Sequence, residues 1–203
     1  IRGLEAHFSL KHKVRMGLDL DNCTLFPCFD QPDMKAPFTL SLEAPATWEA
    51  IANGALMQTD TLPSGRKQFS FKETEPIPTY LFSFVGVRFE KITETHNGRS
   101  VSLYHRETDP QKKAQCHDIL AQVFHSLDWL ETYTGIPYPF TKYDLIIIPG
   151  FQYGGMEHMG ATLYADRSMF LERNATLSSQ LGRSRLRVPK ARIVFNTPAA
   201  GPV

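Results

Sequence analysis

The residue with the clearest potential for binding chemistry is Glu157, which lies in a glycine-rich stretch at residues 150–160. The four glycines of this stretch (GFQYGGMEHMG) allow the backbone to approach a ligand closely. A carboxylate in such a place pairs with a cationic group through charge-assisted hydrogen bonds. The stretch therefore predicts a site that holds an extended ligand by its positively charged group. The alternative is an ordinary junction between a strand and a turn, with a solvated glutamate.

The element that must position Glu157 is a strand. Residues 143–148 are almost all apolar and predict a buried strand, which Pro149 and Gly150 end. Because the glycine-rich stretch follows directly, this strand would deliver the acid near the edge of a sheet.

Metal-dependent hydrolysis requires a different set of side chains. A catalytic zinc ion takes three protein ligands and keeps one position open for water. Two of the ligands are often histidines four residues apart on a helix, with a glutamate after the first. The histidines of this chain are His7, His12, His96, His105, His117, His125 and His158. None is followed by glutamate and no two are four residues apart, so the sequence predicts no metal ligand and no catalytic residue here.

Composition excludes several classes of protein. The 203 residues are 42% hydrophobic and 21% charged, which is typical of a soluble globular protein. The net charge of +1 gives no general attraction to nucleic acid, and no apolar run reaches the roughly 18 residues of a transmembrane helix. The three cysteines, Cys23, Cys28 and Cys116, are an odd number without metal-ligand spacing and favour reduced thiols. Neither the compartment nor the oligomeric state follows from these features.

The first part of the chain, residues 1–107, has the pattern of an antiparallel β-domain. Apolar side chains alternate with polar ones from Phe38 to Ala44, which predicts a strand with one buried face. Asn-Gly and Pro-Ser-Gly sequences mark turns between such runs, and Asn97-Gly98 predicts a hairpin. No long helix is expected before residue 108.

Residues 108–186 form the second predicted domain, which begins with a helix. Asp109 fits the N-cap, Pro110 the first helical position and Gly135 the end, with apolar residues at three- and four-residue spacing between them. The overall prediction is an α+β protein. Residues 187–203 form an anomalous basic tail, for which a solvated or disordered segment is favoured over a nucleic-acid patch because aromatic residues are not interleaved.

Three motifs in order resemble one known family. The segment Gly154-Gly155-Met156-Glu157-His158 closely resembles the Gly-x-Met-Glu-Asn signature of the aminopeptidase N family, zinc exopeptidases with a thermolysin-like catalytic domain. Residues 25–33 and 80–85 fit the same family, and the resemblance runs from residue 25 to about Leu186. It implies that residues 1–107 are part of a saddle-like antiparallel β-domain. Residues 108–186 would then be the incomplete start of the catalytic domain.

The resemblance also implies roles for the five motif residues. In the family the acid matched by Glu157 binds the free α-amino group of the peptide. The backbone at Gly154 and Gly155 resembles the part that runs beside the substrate as a strand edge, and Met156 is expected to line the pocket for the first side chain. His158 replaces the family's asparagine and either contacts substrate or stabilises the turn.

Two further positions depart from the family. Many members carry a second acid or a glutamine for the amino group where this chain has Leu18. The zinc-binding helix would begin just after Leu186, where the chain instead has Pro189 and Pro198 in a basic run. We therefore expect the residues after Leu186 not to be family sequence.

The resemblance supports two alternative functions. In the first, the longer protein is a zinc-dependent aminopeptidase that acts on peptides with a free N-terminus, and this chain, which lacks the zinc motif, is inactive alone. Zinc would be the cofactor of that enzyme, and none is expected to bind to this chain. In the second, the chain is a non-catalytic, family-derived scaffold or peptide-binding fragment.

Overall fold

The computed structural model describes residues 26–29, 31–140 and 142–181 with their side chains, and residues 4–9 as backbone. The predictions for Leu18, Leu186 and the tail at 187–203 lie outside the described residues. The fold class is α+β, as predicted. The chain divides into two compact units, Ile1–Phe89 with His158–Ala161, and Glu90–Glu157 with Thr162–Val203.

The first unit is built almost entirely from short strands. They are β1 Leu4–Ser9, β2 Lys35–Ala36, β3 Phe38–Pro45, β4 Glu49–Ala52, β5 Leu56–Thr61, β6 Arg66–Phe71, β7 Ile77–Pro78 and β8 Phe84–Val87. A four-stranded sheet has the order β1-β3-β6-β5, with β1 parallel to β3 and the other pairs antiparallel. Strands β2 and β7 form one antiparallel pair, and β4 and β8 form another.

The core of the first unit confirms the predicted alternation in β3. Phe38, Leu40, Leu42 and Ala44 are buried, while the residues between them are partly exposed. The ring of Phe38 stacks on that of Phe82 at a centroid distance of 4.8 Å. The alternation of apolar and polar residues was enough to predict this strand, because one of its faces is buried and the other contacts solvent.

The second unit combines one sheet with one long helix. Its elements are β9 Glu90–His96, β10 Arg99–His105, α1 Pro110–Lys113, α2 Gln115–Thr134, β11 Tyr143–Ile148, β12 Gly155–Met156, β13 Ala161–Ala165 and α3 Asp166–Met169. The first residue of β13 belongs to the first unit. The sheet order is β12-β13-β11-β10-β9, in which β10 runs parallel to β11 and the hairpin β9–β10 is antiparallel.

The long helix begins and ends at the predicted residues, with one interruption. The carboxylate of Asp109 accepts a hydrogen bond from the amide of Gln111 at 2.8 Å, and Pro110 is at the N-terminus of α1. Ala114 separates α1 from α2, so the predicted single helix is two helices in sequence. Gly135 ends α2 in the left-handed conformation, with φ of 68°. No helix of the described residues is both long and apolar enough to cross a membrane.

One face of α2 covers the sheet of the second unit. Its buried residues pack in one cluster with side chains of β10, β11 and β13, among them Leu103, Leu145 and Tyr164. This cluster fixes the sheet at whose edge β12 and Glu157 lie. Cys116 of α2 is also buried in it, and this burial raises the pKa of its thiol to about 11. Cys116 is a free thiol, as predicted, whereas Cys23 lies outside the described residues.

The two compact units divide at a different residue from the predicted domains. The sequence predicts a boundary at residue 107, whereas the units divide between Phe89 and Glu90. The β9–β10 hairpin accounts for the difference, because β10 pairs with β11 in the second unit. The boundary at 107 stays a prediction about the domains of the family.

Candidate strand-edge binding site

The strand β11 leads into the candidate site and is buried along most of its length, as the apolar run predicted. The chain turns immediately after it, where Gly150 adopts a φ of 68° that favours glycine. Phe151 then inserts its ring into the interior and is 1% exposed. This aromatic anchor fixes the start of the loop between β11 and β12.

Two groups, one from the last residue of β13 and one from α3, hold the rest of that loop. The amide of Ala165 donates a hydrogen bond to the carbonyl of Gly154 at 3.1 Å. The guanidinium of Arg167 donates to the carbonyls of Phe151 and Gln152, the latter at 3.1 Å. Because a guanidinium presents several donors in a fixed planar arrangement, one side chain can hold two successive carbonyls. No sequence signal pointed to Arg167, since these contacts span 15 and 16 residues.

Gly155 and Met156 form the edge strand β12. Gly155 lies opposite Tyr164 and Met156 opposite Leu163 in antiparallel pairing with β13. Within the described ranges β12 has a neighbouring strand on one side only. Its other side is therefore the place where an extended peptide could add as a further strand.

The glycine at 155 is required by packing inside the protein. A Cβ atom built on Gly155 would lie 2.8 Å from Cδ1 of Tyr164 and 3.1 Å from the carbonyl oxygen of Leu163. The ring of Tyr164 is 1% exposed and has little room to move away. The close approach that this glycine permits is thus to Tyr164.

Glu157 follows the edge strand directly. Its side chain and that of Met156 are half-buried, and both residues belong to the second unit. The acid is therefore placed at the end of an edge strand, on a backbone fixed by β13 and by Arg167.

His158 belongs to the first unit and is buried, with 4% exposure. Its Nδ1 lies 3.1 Å from the carbonyl oxygen of Leu81, to which it donates a hydrogen bond. The side chain of Asn53 donates to the same carbonyl and to that of Met159, each at 2.9 Å. The amide of Ala161 closes the turn by donating to the carbonyl of His158 at 3.1 Å. These bonds favour the turn-stabilising alternative for His158.

The side chains of the described residues do not fit a catalytic zinc ion. In the described part of the chain, no three residues of the types His, Cys, Asp and Glu come together in a group that could hold a metal. His96 pairs with Asp128 at 3.2 Å, and His117 pairs with Glu94. No chemical step through a metal follows from these residues.

Two stretches of the chain match models of one known protein family. Residues 19–81 match the Peptidase M1 N-terminal domain, and residues 119–186 match the Peptidase family M1 domain. The chain belongs to peptidase family M1, whose members are in general zinc-dependent. The resemblance to the aminopeptidase N family, which is inferred from three short motifs, is thereby confirmed.

Several curated relatives are similar to this chain. Endoplasmic reticulum aminopeptidase 1 of Homo sapiens is 35% identical over 159 residues, which cover 77% of this chain and 17% of the relative. Glutamyl aminopeptidase of Sus scrofa is 30% identical over 159 residues, covering 78% and 17%. Puromycin-sensitive aminopeptidase of Caenorhabditis elegans is 33% identical over 163 residues, covering 79% and 17%. The chain thus spans about one sixth of the length of these relatives.

Proposed function

We propose that the protein to which this chain belongs is a zinc-dependent aminopeptidase that releases N-terminal residues from peptides. Within that enzyme, the chain would supply the part of the substrate cleft that holds the amino end of the peptide. Family membership and the names of the relatives support the reaction class. Zinc and its ligands would come from outside the residues described above.

The observation that carries the proposal is an edge strand that ends on a carboxylate. An extended peptide that pairs with β12 would run beside the backbone of Gly155 and Met156. Its ammonium group would then meet the carboxylate of Glu157 in a charge-assisted hydrogen bond. A peptide whose amino group is acetylated lacks this cation, so the arrangement selects free N-termini.

The remaining residues of the segment take supporting roles in this proposal. The backbone of Gly154 and Gly155 aligns the peptide, and Met156 forms an adaptable wall for its first side chain. His158 holds the turn that follows through its bond to the carbonyl of Leu81.

A second candidate function is a peptide-binding module without catalysis. It is favoured by the lack of a metal-binding group of side chains among the described residues. Both candidates use the same grip on the peptide, and they differ in whether the longer protein to which the chain belongs hydrolyses the peptide that it binds.

Binding of a short peptide to the chain tests the grip directly. We expect a peptide with a free N-terminus to bind at least about tenfold more tightly than its N-acetylated form, which corresponds to about 1.4 kcal/mol. This is below the roughly 2–5 kcal/mol of a fully buried charge pair because Glu157 is only half-buried. Glu157→Gln should abolish the preference. Isothermal titration calorimetry of both peptides measures it.

Glu75→Gln is the matched control, because it makes the same change at an exposed acid of the first unit. It should leave the preference for free N-termini unchanged. Equal binding of the two peptides by the unmodified chain would contradict the proposed grip, as would a preference that survives in Glu157→Gln.

A further inference from the structure

A polar cavity of about 610 Å³ lies in the second unit, and none of the residues 154–158 lines it. Its lining includes Arg99, Ser100 and Ser102 from the start of β10, and Lys142 and Asp144 around the start of β11. Ser102 lies opposite Asp144 in the parallel pairing of the two strands. The cavity therefore gathers charged and hydroxyl groups that the proposed peptide site does not use.

The lining of this cavity includes an ion pair with little exposure. The Nζ of Lys142 lies 2.7 Å from Oδ2 of Asp144, and the two side chains are 15% and 13% exposed. Next to Asp144, the hydroxyl of Ser102 is hydrogen-bonded to that of Thr93 at 2.9 Å. Lys142 is thus an amine beside a carboxylate, in a space large enough for a small molecule.

Burial changes the acid–base state of this amine. Loss of hydration lowers the pKa of Lys142 below its ordinary value, although Asp144 opposes the change by favouring the ammonium form. The positive charge of Lys91 acts in the same direction as burial. A larger share of neutral amine at neutral pH makes a lysine a nucleophile, as in enzymes that use lysine for imine chemistry.

We propose that Lys142 is a site of imine formation with small polar aldehydes, which the cavity admits and its hydroxyl groups hold. The lone pair of Nζ adds to the carbonyl carbon, and the π electrons of the carbonyl move to its oxygen. Asp144 accepts the two protons of the amine one after the other and passes each of them to that oxygen. That oxygen leaves with two hydrogens as water, and a C=N bond remains. One amine and one aldehyde therefore give one imine and one water.

Competitive labelling tests this site without any peptidase assay. The chain is incubated with glyceraldehyde at neutral pH, borohydride reduces the imines, and peptide mass spectrometry gives the rate of labelling at each lysine. Lys72 is the internal reference because it is exposed. We expect Lys142 to be labelled several-fold faster than Lys72, because a lowered pKa leaves a larger share of its amine neutral. In denaturant the two rates should become equal.

Two further measurements show that the chain is folded during labelling and that Lys142 is the fast-labelled site. Protection of the Leu145 and Ile147 amides from hydrogen exchange, measured in the same sample, shows that β11 is formed. Lys142→Arg keeps the charge beside Asp144 and should remove the fast-labelled site while leaving labelling of Lys72 unchanged. If Lys142 in the folded chain is labelled no faster than Lys72, the proposal is wrong. An advantage that persists in denaturant would also overturn it, because the cavity could not be its cause.

Discussion

At the scale of single residues, the close packing of Gly155 against Tyr164 leads to a specific prediction. Gly155→Ala would place a Cβ atom 2.8 Å from the ring of Tyr164, which is buried and cannot move freely. We expect the free energy of unfolding to fall by about 1–3 kcal/mol, the usual cost of overpacking. Urea titration followed by circular dichroism measures this loss.

A double-mutant cycle shows whether the ring is responsible for that loss. Valine has no δ carbon, so Tyr164→Val removes the atoms that a Cβ at 155 would meet. In the Tyr164→Val background, Gly155→Ala should therefore cost less than in the unmodified chain. An equal cost in both backgrounds would assign the effect to the backbone or to the carbonyl of Leu163, which lies 3.1 Å away.

The burial of His105 makes the free energy of unfolding depend on pH. Its ring is fully buried at the end of β10, where Nδ1 accepts a hydrogen bond from the amide of Glu107 at 3.2 Å. Burial lowers the pKa of His105 below its ordinary value near 6.5. The unfolded chain therefore binds this proton first as the pH falls, and the free energy of unfolding declines below about pH 6.5. Above that pH the contribution is complete and constant.

The variant His105→Asn isolates this effect, since its amide oxygen can still accept from Glu107 and it does not titrate. The loss of stability between pH 7 and pH 5 should be smaller in the variant, by at most about 1.4 kcal/mol per pH unit for one proton. Urea titrations across this range measure the difference. Parallel pH profiles for the two proteins would mean that His105 is not protonated differently in the folded and unfolded chain.

At the scale of elements, the loop between β11 and β12 depends on Arg167 of α3. Its guanidinium holds the carbonyls of Phe151 and Gln152, and each such bond is worth about 0.5–1.5 kcal/mol. We expect Arg167→Gln to raise the hydrogen-exchange rates of residues 152–157 by about tenfold, because the loop opens more often. Exchange followed by peptide mass spectrometry resolves this segment.

Arg173→Gln provides the control for this experiment. Arg173 is an exposed arginine with a side-chain bond to Gln111 at 3.2 Å, and its removal should leave residues 152–157 unchanged. If both substitutions accelerate exchange equally, the loss of a positive charge is the cause, and the bonds from Arg167 to the loop are not. If neither does, the other bonds of the loop are sufficient to hold β12.

Local signals explain which elements could be predicted from the sequence. The caps at Asp109 and Gly135, the alternation in β3 and the apolar run of β11 each depend on residues that are close in the chain. The candidate binding motif at residues 154–158 was equally local, since it consists of five consecutive residues. The contacts that hold the motif are not local. Arg167, Ala165 and Tyr164 reach it through tertiary pairing, for which a single sequence gives no pattern.

The hairpin β9–β10 shows the same limit for domain organisation. Its Asn97-Gly98 turn was predicted, but its partner strand was not, because parallel pairing of β10 with β11 joins segments separated by the whole helix. Pairs of polar side chains also join the hairpin to the helices. They are Glu90 with Lys113, Glu94 with His117, His96 with Asp128 and Arg99 with Glu131. These contacts explain why the hairpin belongs to the unit that contains α2.

At the scale of the whole molecule, the two family matches leave residues 82–118 between them. The hairpin and α1 lie in this interval, and the hairpin is assigned differently by the predicted domains and by the compact units. The peptide site proposed here depends on the second unit for β12 and Glu157. Zinc-dependent hydrolysis, by contrast, requires a group of metal-binding side chains, and the described residues do not bring such a group together.

Because the proposed peptide site lies in this chain and the metal ligands would lie outside the described residues, we can predict how the chain behaves alone. With added zinc, it should not hydrolyse an aminoacyl anilide above the rate of the buffer, because a catalytic zinc ion needs three protein ligands and an open position. The chain has no His-Glu-x-x-His sequence that could supply the usual pair. A continuous absorbance assay measures hydrolysis, with human endoplasmic reticulum aminopeptidase 1 as the positive control. Hydrolysis that a chelator stops and that Glu157→Ala abolishes would show that the chain carries a complete centre. Peptide binding that persists without hydrolysis would separate the grip on the amino end from the metal chemistry.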